Sequence, residues 1–248
     1  MDGIELLRVR AEMMNIELDE TQLAAFREYN RLLTEWNGRF NLTAIREETE
    51  VIEKHFLDSL SIAPIVESVF GERESGKTVR LIDIGAGAGF PGIPLRILYG
   101  EQLSVTLVDS VAKKVGFLKE ALRVLGLAGC EAVHGRVEDI GQLKEYREQF
   151  QIATARALAA MPVLLEYALP FIRQGGYLIA MKAAREGAER EVEESSRALK
   201  LLGGEVHELR ELNLPMSDLS RTAVIIKKCA KTPRQYPRKA GTISKNPL

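Results

Sequence analysis

Apolar positions along this chain follow two rhythms that change near residue 78. Before that point they recur at helical spacing. Ile4 to Met14 reads as one helix and Glu20 to Trp36 as a second, with Asp19 as its N-cap and Asn37-Gly38 as its stop. Asn41 to Ile45 is a short connection before a third helix from about Glu47 to Ile62, where His55 and Asp58 share a face. That sharing predicts a local hydrogen bond or docking of the helix onto a neighbour. The polar stretch Gly71 to Lys77 reads as a linker.

From Val79 onward short apolar runs alternate with helical segments. Strands are predicted at Val79–Ile84, Val105–Val108, Glu131–His134, Gln151–Ala155, Tyr177–Met181, Glu205–Leu212 and Thr222–Lys227. Between them lie helices at Val111–Leu125, Met161–Phe171 and, strongly charged, Gly187–Leu201, with Gly175-Gly176 leading into the fifth strand. The last two strands are joined by a short loop and read as an antiparallel hairpin. The pattern predicts an α/β fold with a doubly wound, Rossmann-like sheet whose last strand is antiparallel. Residues 1–76 form an N-terminal helical extension, 77–228 the sheet domain and 229–248 a basic C-terminal tail.

The first strand carries the chemistry. Asp83 sits at its end, two residues before Gly85; Gly87, Gly89 and Gly92 follow, and the second strand ends on Asp109. Glycine lets backbone approach a ligand closely and accepts positive φ. Asp109 lies where a nucleotide-binding βαβ unit places its ribose-binding carboxylate. Gly87 to Gly92 formally matches the dinucleotide fingerprint, so an NAD-dependent oxidoreductase is a competing reading. Two details oppose it. A carboxylate at Asp83 suits a cationic amino group better than a pyrophosphate, and Pro91 and Pro94 interrupt the helix start whose free N–H groups would bind phosphate. A ligand with a ribose, an ammonium and no phosphate fits, which is S-adenosylmethionine. Asp-x-Gly-x-Gly followed by an acid ending the next strand looks like a class I methyltransferase.

Composition narrows the setting. With 248 residues, 46% of them hydrophobic, the chain can bury a full core. No apolar run approaches the roughly 20 residues that span a bilayer, and Asp2 and Glu5 do not suit a signal peptide. The expectation is a cytoplasmic monomer with no membrane contact. Cys130 and Cys229 have no metal-ligand spacing and read as reduced core residues in strands, and the three histidines are scattered, so no metal site is expected. The net charge of −1 conceals an asymmetry: residues 1–74 hold 16 acidic and 8 basic side chains, whereas residues 221–248 hold 8 basic and no acidic ones. Tyr236 among Arg234, Arg238 and Lys239 suits a nucleic-acid backbone with stackable bases.

Cations gather at the predicted ligand edge: Lys113 and Lys114 in the first turn after Asp109, Arg136 after the third strand, Arg156 ending the fourth, Lys182 ending the fifth, and Arg221 opening the last. Neither cysteine lies beside the glycine loop, as carbon-5 methylation of a pyrimidine would need. The Asn/Asp-Pro-Pro-aromatic motif that grips exocyclic amines is replaced after the fourth strand by Thr154-Ala155-Arg156-Ala157. Guanine N7 offers a lone pair and no proton, so its methylation needs no general base, only donors to O6 and phosphate.

The segments WNGRFNLTAI, HFLDSL, DIGAGAGFPGIPL, VDSVAKKVGFL, GRVED, ARALA and YPRKAGTISKNPL together resemble the RsmG family, also called GidB, over almost the whole chain. The resemblance implies a class I methyltransferase that uses S-adenosylmethionine to make 7-methylguanosine in the 530 loop of bacterial 16S ribosomal RNA. Its partner would be that RNA or the small ribosomal subunit particle. By the same resemblance Gly85, Phe90, Val137, Glu138 and Arg156 bind cofactor, beside Asp83, Gly87 and Asp109 from the argument above. Lys113, Arg136, Arg156 and Arg221 form the catalytic set, positioning RNA and guanine, with Lys182 a weaker candidate. Ile243 stands where the family motif has proline. Competing readings are a methyltransferase acting on a small molecule or protein, and a ribosome-assembly factor without turnover.

Overall fold

The computed structural model describes residues 2–71 and 77–248. At its centre is a seven-stranded sheet built from β1 (Val79–Ile84), β2 (Leu103–Asp109), β3 (Glu131–His134), β4 (Phe150–Arg156), β5 (Ile172–Lys182), β6 (Gly204–Asn213) and β7 (Ser220–Lys228). The strands lie in the order β3-β2-β1-β4-β5-β7-β6. Pairs among the first five strands are parallel, whereas β7 runs antiparallel to both β5 and β6. Strand order reverses at β1 and β4, so their carboxyl ends open the crevice where such sheets bind ligands.

Alternation along the strands divides the core in two. Val79 and Leu81, with Leu103, Val105 and Leu107, face one apolar cluster; Ile82, Ile84 and Val108 face the other. The first cluster is closed by α1 (Gly3–Glu12), α2 (Glu20–Phe40), the helical stretch from α3 (Glu48–Val51) to α4 (Asp58–Leu60), α5 (Ala63–Gly71), α6 (Gly92–Tyr99) and α7 (Ala112–Val124). A short α8 (Val137–Ile140) follows β3, and α9 (Met161–Ala168), α10 (Arg185–Glu194) and α11 (Ser196–Leu202) cover the second cluster. The acidic extension therefore forms one face of the same core as the sheet.

Several boundaries differ from expectation. α2 runs through Asn37-Gly38 and ends at Asn41, whose φ is 49°. Asn37 is buried, and its amide accepts from Thr43 N–H and donates to the Ile45 carbonyl, so it captures the following loop instead of stopping the helix. The third predicted helix contains a π turn, Ile52–Leu57. Gly175-Gly176 lies inside β5, beside a register shift between Phe150 and Ile152; a Cβ on Gly176 would meet the Gln151 carbonyl oxygen at 2.6 Å, so this close approach requires glycine. The charged helix is split at Ser195, whose hydroxyl bonds to the Glu191 carbonyl. Cys130 and Cys229 are not strand-core residues: the first is half-buried just before β3 and the second is exposed just past β7. The linker predicted at Gly71 to Lys77 falls on residues 72–76, outside the described residues.

The basic tail is docked. Tyr236 is buried in the second cluster, and Arg238 forms a two-pronged pair with the fully buried Glu166, with Nη2 to Oε2 at 2.7 Å. Arg147 donates to the carbonyls of Thr232, Pro233 and Tyr236. Lys228, fully buried, is pushed down to about 8 by desolvation and donates to the carbonyls of Leu169 and Leu202. Tyr236 is thus core, not a stacking platform. Ile243 is buried in α12 (Ala240–Lys245), where its N–H bonds to the Lys239 carbonyl, a bond proline could not make. Among the described residues no helix is long and apolar enough to cross a membrane, and no cluster of ligating side chains could hold a metal.

Candidate functional site: two adjoining cavities at the sheet edge

The loop from Gly85 to Pro91 turns sharply because Gly85, Gly87 and Gly89 sit at φ of 68°, 61° and 97°. Two acids shape it. Asp109 Oδ2 accepts from Gly87 N–H at 2.9 Å and Oδ1 from Val111 N–H at 2.8 Å. Asp83 Oδ2 accepts from Gly92 N–H at 2.9 Å and Oδ1 from the Thr154 hydroxyl at 3.0 Å. From the extension, Tyr29 donates to the Ala88 carbonyl and packs its ring against Phe90. The loop is therefore held from below, beside and above.

The first cavity, about 360 Å3, is lined by Gly85, Asp109, Lys114, Arg136, Val137, Glu138, Arg156 and Leu158, among others. Six of the expected residues thus come together at one place: Gly85, Asp109, Arg136, Val137, Glu138 and Arg156. Glu138 is buried and accepts from the mostly exposed Arg136 at 2.6 Å. Gly87 contributes through its N–H to Asp109. Asp83 and Phe90 depart from expectation. Asp83 is fully buried beneath the loop and does not line the cavity; desolvation pushes its carboxyl up to about 7, opposed by its bonds to Gly92 and Thr154. Phe90 packs between Tyr29 and the His55 ring, stacked at 4.4 Å. Of the two lysines, Lys114 lines the cavity, 3.9 Å from Asp109, while Lys113 is exposed beside it.

A second cavity, about 430 Å3, adjoins the first. Arg156 and Ala157 line both; Lys54, His55, Asp58, Lys182 and Arg221 line the second with the apolar Ile45 and Met181. Asp58 is fully buried and accepts from Arg156 Nη1 at 2.8 Å and from Arg221 Nε at 2.9 Å. Arg156 also donates to the Lys54 carbonyl and approaches His55 Nδ1 at 3.1 Å, while His55 Nε2 lies 2.9 Å from the Thr43 hydroxyl. Burial, with Arg156 beside it, pulls His55 down to about 3, so the ring is neutral. Lys182 is tied to Glu191 and the Ala159 carbonyl. Sequence reasoning gave His55 and Asp58 a docking role, which the contacts of Asp58 match. It missed Asp58 as the partner of two site arginines, and missed Tyr29 and Leu158; only the shared helix face of His55 and Asp58 hinted at the first.

This strand order, with a glycine loop after β1 and an acid ending β2, defines the class I methyltransferase fold. A putative O-methyltransferase from Klebsiella pneumoniae superposes with a TM-score of 0.56 at 13% identity, covering 90% of this chain and 96% of its own. The family described as GidB, rRNA small subunit methyltransferase G, matches residues 22–219. Relatives bearing the name ribosomal RNA small subunit methyltransferase G include one from Acetivibrio thermocellus, 46% identical over 98% of this chain and 96% of its own length. Another, from a Thermoanaerobacter species, is 47% identical over 99% and 98%. The chain belongs to the rRNA small subunit methyltransferase G family.

Proposed function

We propose that the protein transfers a methyl group from S-adenosylmethionine to N7 of a guanine in the 530 loop of 16S ribosomal RNA. Family membership supports the reaction class and the RNA. The observation that carries the division of labour is that Arg156 and Ala157 form a wall common to both cavities. A donor group in one and an acceptor base in the other would meet there.

The residues of the first cavity fit the cofactor. A carboxylate offers about four lone-pair sites, and each Asp109 oxygen is given one N–H, so both retain capacity for ribose hydroxyls. Gly85 keeps the loop open toward the ligand, Val137 and Glu138 border the place for adenine, and Asp83 acts through the loop it fastens. When bound, the cofactor supplies an electrophilic methyl group on a sulfonium.

In the second cavity, apolar walls at Ile45 and Met181 suit the faces of a base, and Arg156 and Arg221 supply donors for guanine O6 and a phosphate. N7 attacks with its own lone pair, so no side chain need take a proton. The neutral His55, engaged by Arg156 and Thr43, is consistent with that economy. Lys113 and Arg136, both exposed at the rim, would meet the RNA backbone. One chain builds both cavities, and it acts as a monomer in this reading.

Incubation with methyl-labelled S-adenosylmethionine and unmodified small-subunit RNA or particles, followed by borohydride and aniline cleavage, tests the proposal. A single cleavage in the 530 loop is the expected result. Label on another nucleotide would move the substrate, transfer to a free metabolite would replace it, and cofactor binding without transfer to any RNA would leave an assembly factor.

A further inference from the structure

Asp58 makes no contact assigned above to cofactor or acceptor, yet its two oxygens join two parts of the site. Oδ2 accepts from Arg156 Nη1 and Oδ1 from Arg221 Nε, at 2.8 and 2.9 Å. Arg156 ends β4, Arg221 lies at the start of β7, and β5 pairs with both, so the ladders fix where the two side chains begin but not where their guanidinium ends meet. The buried carboxylate does.

Each arginine on its own is a long side chain with much rotamer freedom. Here both are mostly buried, with 18% and 24% of the side chain exposed, and both line the second cavity. One negative charge faces two positive ones, and the neutral His55 adds none, so a net positive charge remains at the wall between the cavities. The carboxylate itself comes from the extension. Asp58 directly follows the π turn Ile52–Leu57, and that turn presents the Lys54 carbonyl to Arg156 as well. Such turns often mark functional sites.

We propose that Asp58 is a positioning residue for methyl transfer, holding Arg156 and Arg221 as one preset unit against the acceptor guanine. The inference rests on the function proposed above. It gives the helical extension a part in the reaction besides covering the sheet.

A double-mutant cycle tests it, with single-turnover transfer to small-subunit particles, cofactor affinity by calorimetry and thermal melting read on wild type, Asp58→Asn, Arg221→Ala and the double variant. Asp58→Asn and Arg221→Ala are each expected to slow transfer about 100-fold, the scale of a misplaced catalytic contact. The double variant is expected to be no slower than the worse single one, because both changes disable one unit. Losses that multiply, a loss confined to RNA KM, or a wild-type rate in Asp58→Asn would overturn the proposal. If Asp58→Asn does not fold, Asp58→Glu carries the test: the charge stays but its reach changes, so a normal melt with slowed transfer is expected, and a wild-type rate would overturn the inference. Absence of transfer by the wild type would instead overturn the function on which the inference rests.

Discussion

Asp83, next to last in β1, and Asp109, last in β2, lie near the carboxyl ends of adjacent parallel strands beside the same glycine loop, and their surroundings differ. Both carboxylates accept two hydrogen bonds, and both fasten the loop. Asp109 takes its donors from the loop's outer turn and from Val111, and it stays on the cavity wall. Asp83 takes one donor from the start of α6, and the chain closes over it completely. Asp83 is sealed and costly to ionise, and desolvation carries its carboxyl to about 7. The path of the following loop thus decides whether an acid at a strand end stays on the cavity wall or is sealed beneath the backbone.

The contrast can be broken at its strong end first. Asp109→Ala removes the proposed ribose acceptor and two loop fastenings; charged hydrogen bonds of about 1.5–3 kcal/mol each lead us to expect at least about 100-fold weaker cofactor binding by calorimetry. Unchanged affinity would place the ligand elsewhere. Gly85→Ala comes next. A Cβ there would lie 2.6 Å from Leu158 Cδ1, at a φ of 68°. The left-handed cost of about 1–2 kcal/mol should appear as roughly tenfold weaker cofactor binding, since Leu158 also borders the cavity; an unaffected variant would mean the loop rearranges freely.

Asp83→Asn sharpens the comparison through pH. The folded carboxyl at about 7 binds its proton more tightly than the unfolded one near 3.8. Its stability contribution is therefore full below a pH of about 4 and is lost as pH rises through about 7, with a slope of at most about 1.4 kcal/mol per pH unit. Asparagine imitates the protonated form, so denaturant titrations of Asp83→Asn should lack that decline; a decline of wild-type steepness would refute the assignment. The smallest effect is expected at Lys113→Ala. Cofactor affinity should hold, while RNA affinity weakens and its salt slope falls by about 1; an unaltered slope would remove Lys113 from the RNA path.

Much of this arrangement could be read from the chain because it is local. Val79–Ile84, the glycines after it and Asp109 lie within one βαβ unit, where periodicity and turn chemistry speak directly. The antiparallel hairpin followed from a short loop between two apolar runs. What escaped depends on distance or on burial. The Asp58 carboxylate meets arginines 98 and 163 positions away, and no local pattern encodes such a meeting. Tyr236 looked like a stacking residue because cations surround it in sequence, but Glu166, far upstream, draws Arg238 inward and the ring with it. Asn37-Gly38 has the composition of a helix stop, and only the loop that Asn37 captures reveals why the helix goes on.

The place of β7 has a consequence for synthesis. This strand is made after β6 yet lies between β5 and β6, so neither neighbour can complete its ladder until residues 220–228 have left the ribosome. Glu166 waits longer still, for Arg238. The residues that line the first cavity all precede β7 in the chain, whereas Arg221 reaches Asp58 only once that strand has been made. Of the two cavities, the one proposed to hold the acceptor is the later to be completed.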